Sequence, residues 1–169
     1  MRQRTTAGNA QIEFALCGVF VIFAMISIFD MARGLWINHT LSQAVRDGTR
    51  YAVVHGALNV NPTTNVRLPG SNLRDVYNVV RRSALGMVPS QLRLRFESAD
   101  GVIDCNPDCP SAELDLPWPP NGAANKNMEI GIQANYPYNS MVVMFFPGSK
   151  GIQFGRYILG SVARERIAF

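Results

Sequence analysis

A chain of 169 residues has room for one ordinary domain, or one small domain with an appendage. Hydrophobic residues make up 47% and charged residues only 17%, well below the roughly 25% typical of soluble globular chains, so disorder is excluded and the placement of the apolar residues becomes the question. Sixteen Lys and Arg against twelve Asp and Glu give a net charge of +4, but the cations come together only in pairs such as Arg2/Arg4, Arg81-Arg82 and Arg164/Arg166, too thinly for a nucleic-acid surface.

The apolar residues concentrate at the start. Residues 14–29 carry no charge and one hydroxyl, Ser27. As a helix these sixteen residues rise about 24 Å at ~1.5 Å each, slightly short of a ~30 Å hydrocarbon layer. Adding Ile12, Met31, Ala32, Leu35 and Trp36, and tolerating Glu13 and Asp30, brings the stretch to spanning length. A signal peptide would need a small-x-small cleavage site after its core, and Phe29-Asp30-Met31-Ala32-Arg33 supplies none. A buried core helix would need a domain large enough to wrap a segment apolar on every face. A single transmembrane anchor fits the length rule, with Trp36 near an interface. Arg2 and Arg4 ahead of the span favour a cytoplasmic N-terminus, an asymmetry that Arg33 and Arg46 weaken. With only one such segment, the chain is no polytopic transporter.

Ahead of the span stands a short polar leader ending in Gly8, followed by Asn9, with Glu13 and Phe14 at positions five and six counted from Asn9. This Gly-x-x-x-x-Glu-Phe arrangement before a hydrophobic helix resembles the processing site of type IV prepilin-like proteins. Continuing through Phe14-Ala-Leu and Leu41-Ser-Gln-Ala-Val-Arg-Asp-Gly-Thr-Arg-Tyr-Ala52, the first third resembles the TadE-like pseudopilins of tight-adherence (Tad) pilus systems. Two positions depart from the family's usual pattern, Val45 and Thr49, each where Ala is common.

The resemblance implies a pilin-like α+β fold and a prepilin peptidase that cuts between Gly8 and Asn9. Residues 1–8 are then a removed leader, 9–36 the transmembrane helix, and 37–169 an extracytoplasmic domain. Glycine at the cut lets its backbone approach catalytic groups closely. It further implies that Glu13 and Phe14 serve recognition and assembly, Glu13 pairing with the new α-amine on Asn9 of a neighbouring subunit. At ~4 Å and an effective dielectric near 20 such a pair attracts by about 4 kcal/mol before desolvation. Desolvation returns much of that, which leaves register as its main contribution. Read without the resemblance, Glu13 is an acidic residue complementing a helix dipole for ~0.3–1 kcal/mol. The partners implied are the peptidase, other pilins or pseudopilins with the pilus assembly machinery, and membrane lipid.

Beyond Trp36 the apolar pattern becomes one-sided. Ile37, Leu41, Ala44, Gly48, Tyr51/Ala52 and His55 recur at spacings of three and four, while Gln43, Arg46, Asp47 and Arg50 take the other faces. One helix from about residue 10 to about 55 follows, ending near Gly56. Residues 57–71, rich in Asn, Thr and Pro, read as a loop. A second helix is expected from Ser71 or Asn72, with Asp75 in its first turn, a stripe of Leu73, Val76/Tyr77, Val80 and Ala84, and Gly86 with Pro89 to end it. Arg81-Arg82 complements its C-terminal dipole. His39 and His55, sixteen apart with no ligands between them, read as surface or packing histidines.

Alternation replaces helical spacing after Ser90. Leu92, Leu94 and Phe96 share one face and Arg93, Arg95 and Glu97 the other, as in a half-buried antiparallel strand. Asp100-Gly101 signals a turn into a short Val102-Ile103 return. Met128, Ile130, Ile132, Ala134 and Tyr136 mark a second strand, Met141–Phe146 is an apolar run closed by Pro147-Gly148, and Ile152–Phe154 with Tyr157–Ile167 supply the last strands. The expected architecture is α+β, two helices followed by an antiparallel sheet.

Cys105 and Cys109 sit four apart in Asp-Cys-Asn-Pro-Asp-Cys-Pro, ahead of a Pro-rich loop to about residue 127. In an oxidising compartment a local disulfide is expected. Zinc would have only two thiolates and no flanking histidine, and the spacing is not the Cys-x-x-Cys of a redox pair. No metal site and no cofactor is expected. Cys17 reads as a small hydrophobic residue. The sequence carries no Gly-rich phosphate loop, no Gly-x-Ser-x-Gly and no metal-ligand run. The carboxylates Glu113 and Asp115 fall in the Pro-rich loop, so catalysis is not the expected role. Two readings remain: a processed pseudopilin or minor pilin in the inner membrane, with its C-terminal domain outside the cytoplasm and entry into a surface pilus open to it, or a permanently anchored extracytoplasmic binding or sensor module.

Overall fold

A computed structural model of the chain describes residues 7–56, 71–106, 108–120, 128–141 and 156–167. The chain runs as helix α1 (Ala7–His55), helix α2 (Leu73–Ser83), a 3-10 turn (Pro89–Gln91), strands β1 (Arg93–Ser98) and β2 (Gly101–Cys105), the short helix α3 (Ser111–Leu114), and strands β3 (Glu129–Asn139) and β4 (Arg156–Arg166). The four strands form one antiparallel sheet in the order β2-β1-β3-β4, giving the expected α+β architecture. The expected loop over 57–71 and the runs at 142–148 and 152–154 fall almost wholly outside the described residues.

Two compact units divide the chain. Among described residues, one comprises α1 up to Leu35 with Asn139–Met141 and Arg156, and the other comprises Trp36–Tyr138 with Tyr157 onward. The second unit holds the apolar core. Ile37, Leu41, Ala44 and Ala52 of α1 are buried as their spacing predicts, together with Val45 and Thr49 beside them, and His55 is exposed. Leu73, Val76, Tyr77 and Val80 bury the stripe of α2, whose first turn is closed by Asp75 Oδ2 accepting from the Asn72 N–H at 3.3 Å. The chain leaves α2 through Gly86 at φ +79°, where a Cβ would meet the Trp36 indole at 2.4 Å. Both the conformation and the ring overhead require glycine.

In the sheet, Leu94, Phe96, Ile130, Ile132, Ala134, Tyr136 and Tyr138 are buried on alternate positions. Register pairs Phe96 with Ile103 and with Ile132, so one apolar row crosses three strands. Pairing of β1 with β3 reaches Arg93↔Asn135, and Pro137, which has no N–H to donate, falls past that end. The β1–β2 turn is centred one residue earlier than expected. Ser98 pairs with Gly101, which makes Ala99-Asp100 the turn and places Gly101, at φ +152°, at the head of a longer return strand.

The largest fully buried side chain is Trp118, set between prolines in what reads as a polar loop. Its ring packs edge-on against Phe96, with centroids 5.3 Å apart. Its backbone N–H donates to Ser71 O at 3.0 Å, and Ser71 Oγ donates to Trp118 O at 2.8 Å. The loop is thereby sewn to the start of α2.

Candidate functional site

The N-terminal part of α1 carries the sites read from the sequence. Gly8 and Asn9 lie in the described helix, and Glu13 and Phe14 stand about one turn further along it. Glu13 is exposed and Phe14 is 81% exposed. Large apolar side chains face outward all round: Val19, Phe20, Ile22, Ile28, Phe29 and Met31 each keep more than half of their surface. Within α1 an 18-residue window reaches a mean hydropathy of 2.5, and none of it is buried. A solvent-exposed patch of this kind marks an interaction with lipid or with other protein. The single hydroxyl of the run is satisfied within the helix, Ser27 Oγ donating to Phe23 O at 2.9 Å, which spares the apolar surroundings an unpaired group.

At the end of this run a carboxylate is gripped from far along the chain. Asp30, only 7% exposed, accepts from the Met141 N–H through Oδ1 at 3.1 Å and from the Ser140 hydroxyl through Oδ2. Sequence reasoning treated Asp30 as a tolerated interruption. The missed signal was an acidic residue abutting sixteen apolar ones, where a carboxylate without partners would be costly.

Further along α1, the segment that resembles the TadE-like pattern has a packing reason. A Cβ on Gly48 would meet Val80 Cγ2 at 2.3 Å and Ile132 Cδ1 at 3.2 Å, so α1, α2 and β3 converge on a position that admits only hydrogen. The departures at Val45 and Thr49 are both fully buried. The Thr49 hydroxyl donates to Val45 O at 2.7 Å, so its polarity is met inside the helix.

Elsewhere Cys105 and Cys109 form the expected disulfide, with both residues buried, while Cys17 is an exposed free thiol. The loop they close also contributes Asp108, whose Oδ1 accepts from Tyr77 Oη at 3.3 Å. Arg81 Nη1 donates to the same phenol oxygen at 3.1 Å. Burial pushes the Tyr77 phenol upward; Arg81 opposes this and Asp108 adds to it. Asp115 pairs with Arg74 at 2.9 Å on an exposed surface. Arg95 and Arg164 bridge Glu97, Asp104 and Glu129 across the outer face of the sheet, contacts of small energy at such exposure. Among the described residues, no three His, Cys, Asp or Glu side chains gather as a metal site.

A long helix whose apolar first half is unburied, followed by an α+β body, fits a single-pass membrane anchor. Residues 8–50 match the family model of the TadE-like proteins, about a quarter of the chain, and the match opens on Gly8. It points to a pilin-like protein associated with a Tad pilus. Neither a curated protein nor a solved structure matches the chain significantly.

Proposed function

We propose that this chain is a membrane-anchored pseudopilin or minor pilin, processed by a prepilin peptidase between Gly8 and Asn9 and co-assembled through α1 into a Tad-type pilus or secretion apparatus. In this reading residues 9–36 cross the inner membrane with the N-terminus cytoplasmic, residues 37–169 lie outside the cytoplasm, and the role is structural rather than catalytic. The observation that carries it is the unburied apolar half of α1, within the family match that opens on Gly8. Lipid solvates that surface before assembly and neighbouring helices bury it afterwards, so one sequence serves both states. Removing Arg2 and Arg4 strips the charges that hold the leader on the cytoplasmic side and frees an amine for Glu13.

Intact mass spectrometry of the chain from membranes of cells that make the peptidase tests this directly. The expected mass lacks residues 1–8, and deletion of the peptidase restores them. A full-length chain in cells assembling the apparatus normally would refute processing and leave a permanently anchored module.

A further inference from the structure

The carboxylate of Asp30 fixes a second part of the chain at a defined height on α1. From Phe14, the first residue of the uncharged run, to Asp30 the helix climbs about 24 Å at ~1.5 Å per residue. A hydrocarbon layer of ~30 Å that begins at Phe14 therefore extends about 6 Å beyond Asp30. Ser140 and Met141 are bonded to that carboxylate, so they share its depth. Met141 is 54% exposed, and on the helix Met31 and Leu35 are exposed beside the same level. A backbone N–H and a hydroxyl at such a depth need internal acceptors, and Asp30 supplies both.

Resting on the membrane reading above, we propose that the Ser140–Met141 corner at the end of β3 is a second lipid contact, held in the outer margin of the bilayer by Asp30 before assembly. Asp30 acts as a positioning residue, and Met141 is the side chain that meets lipid. The occupant of this surface is the acyl margin of the outer leaflet, because the exposed apolar side chains Met31 and Leu35 of α1 flank the same level. Arg33 between them, also exposed, has a stem long enough to carry its charge out to the headgroups.

The test places nitroxide labels on the full chain carrying Cys17→Ser, in a phosphatidylethanolamine–phosphatidylglycerol bilayer under non-reducing conditions. Met141→Cys is the reporter, Ile22→Cys the lipid reference and Val102→Cys the water reference. Relaxation by oxygen and by a water-soluble nickel chelate reads depth. The expected reporter resembles the lipid reference. Asp30→Ala, or Ser140→Ala if that variant folds poorly, should shift it several-fold towards the water reference, while Asp30→Asn, which still accepts from Met141, retains the lipid signal. A reporter matching the water reference while Ile22→Cys reads lipid overturns the contact and leaves the anchor reading intact. An unchanged lipid signal in both disrupting variants overturns the role of Asp30. If Ile22→Cys itself reads water, the anchor reading fails and takes the proposal with it.

Discussion

Two residues show how environment sets what a side chain can do. Glu13 stands exposed on a helix whose neighbouring side chains are apolar. Glu13→Gln keeps the shape and hydrogen bonding but removes the charge. Membrane insertion should persist, and recovery of the chain in assembled pili or with other pilins should fall sharply. Normal co-purification of the variant would remove the pairing role. Tyr77 offers a test of the core near the disulfide loop. Its ionisation is held above the ordinary phenol value of 10.0, chiefly by burial, so the neutral form is the one the fold favours. Its contribution to stability is therefore complete below pH about 10 and lost as pH rises through the elevated folded value. The difference between alkaline absorbance titrations of the parent and Tyr77→Phe should show a midpoint above that of an exposed tyrosine, and the variant's stability should decline less steeply above pH about 10.

Among the elements, α1 is one helix with two surfaces. Its first half is apolar on every side, and its second half has a single buried stripe. The change falls near Trp36, beyond which polar residues (Asn38, His39, Thr40, Ser42, Gln43) and then the charged Arg46, Asp47 and Arg50 alternate with the stripe. The stripe was legible because spacings of three and four survive in Ile37, Leu41, Ala44 and Ala52. Val45 and Thr49 were not, since burial on their side depends on what α2 and β3 bring against it. Gly48 is where those elements meet. Gly48→Ala should cost about 1–3 kcal/mol by forcing α2 or Ile132 away, read as a lowered denaturation midpoint of the full chain in detergent. Unchanged stability would mean that α1 and α2 separate at little cost.

For the molecule as a whole, the disulfide gives a test of the proposed orientation. Cys105 and Cys109 close a short loop against buried surface, and such bonds form and persist chiefly in oxidising compartments. Alkylation of the unreduced chain should label one thiol, Cys17, and reduction should raise this to all three cysteines. Reducing the bond should lower stability by about 2 kcal/mol on the loop-entropy relation for so short a loop. Three labelled thiols before reduction, in chain taken from intact cells, would place these residues in the cytoplasm and reverse the proposed orientation.

The sequence alone determined the anchor-like run, the long helix and the shorter one after it, and the alternating strands, because hydrophobic period and helix-ending glycines are local properties that neighbouring residues express together. It also held the Gly8, Glu13 and Phe14 spacing, which is linear by nature. Strand order, the turn at Ala99-Asp100, the burial of Trp118 and the grip of Ser140 and Met141 on Asp30 were decided by the tertiary structure. Each joins residues whose fit depends on shape and partner, and a lone tryptophan among prolines or an aspartate beside an apolar run declares its partner only once the chain has folded back to meet it.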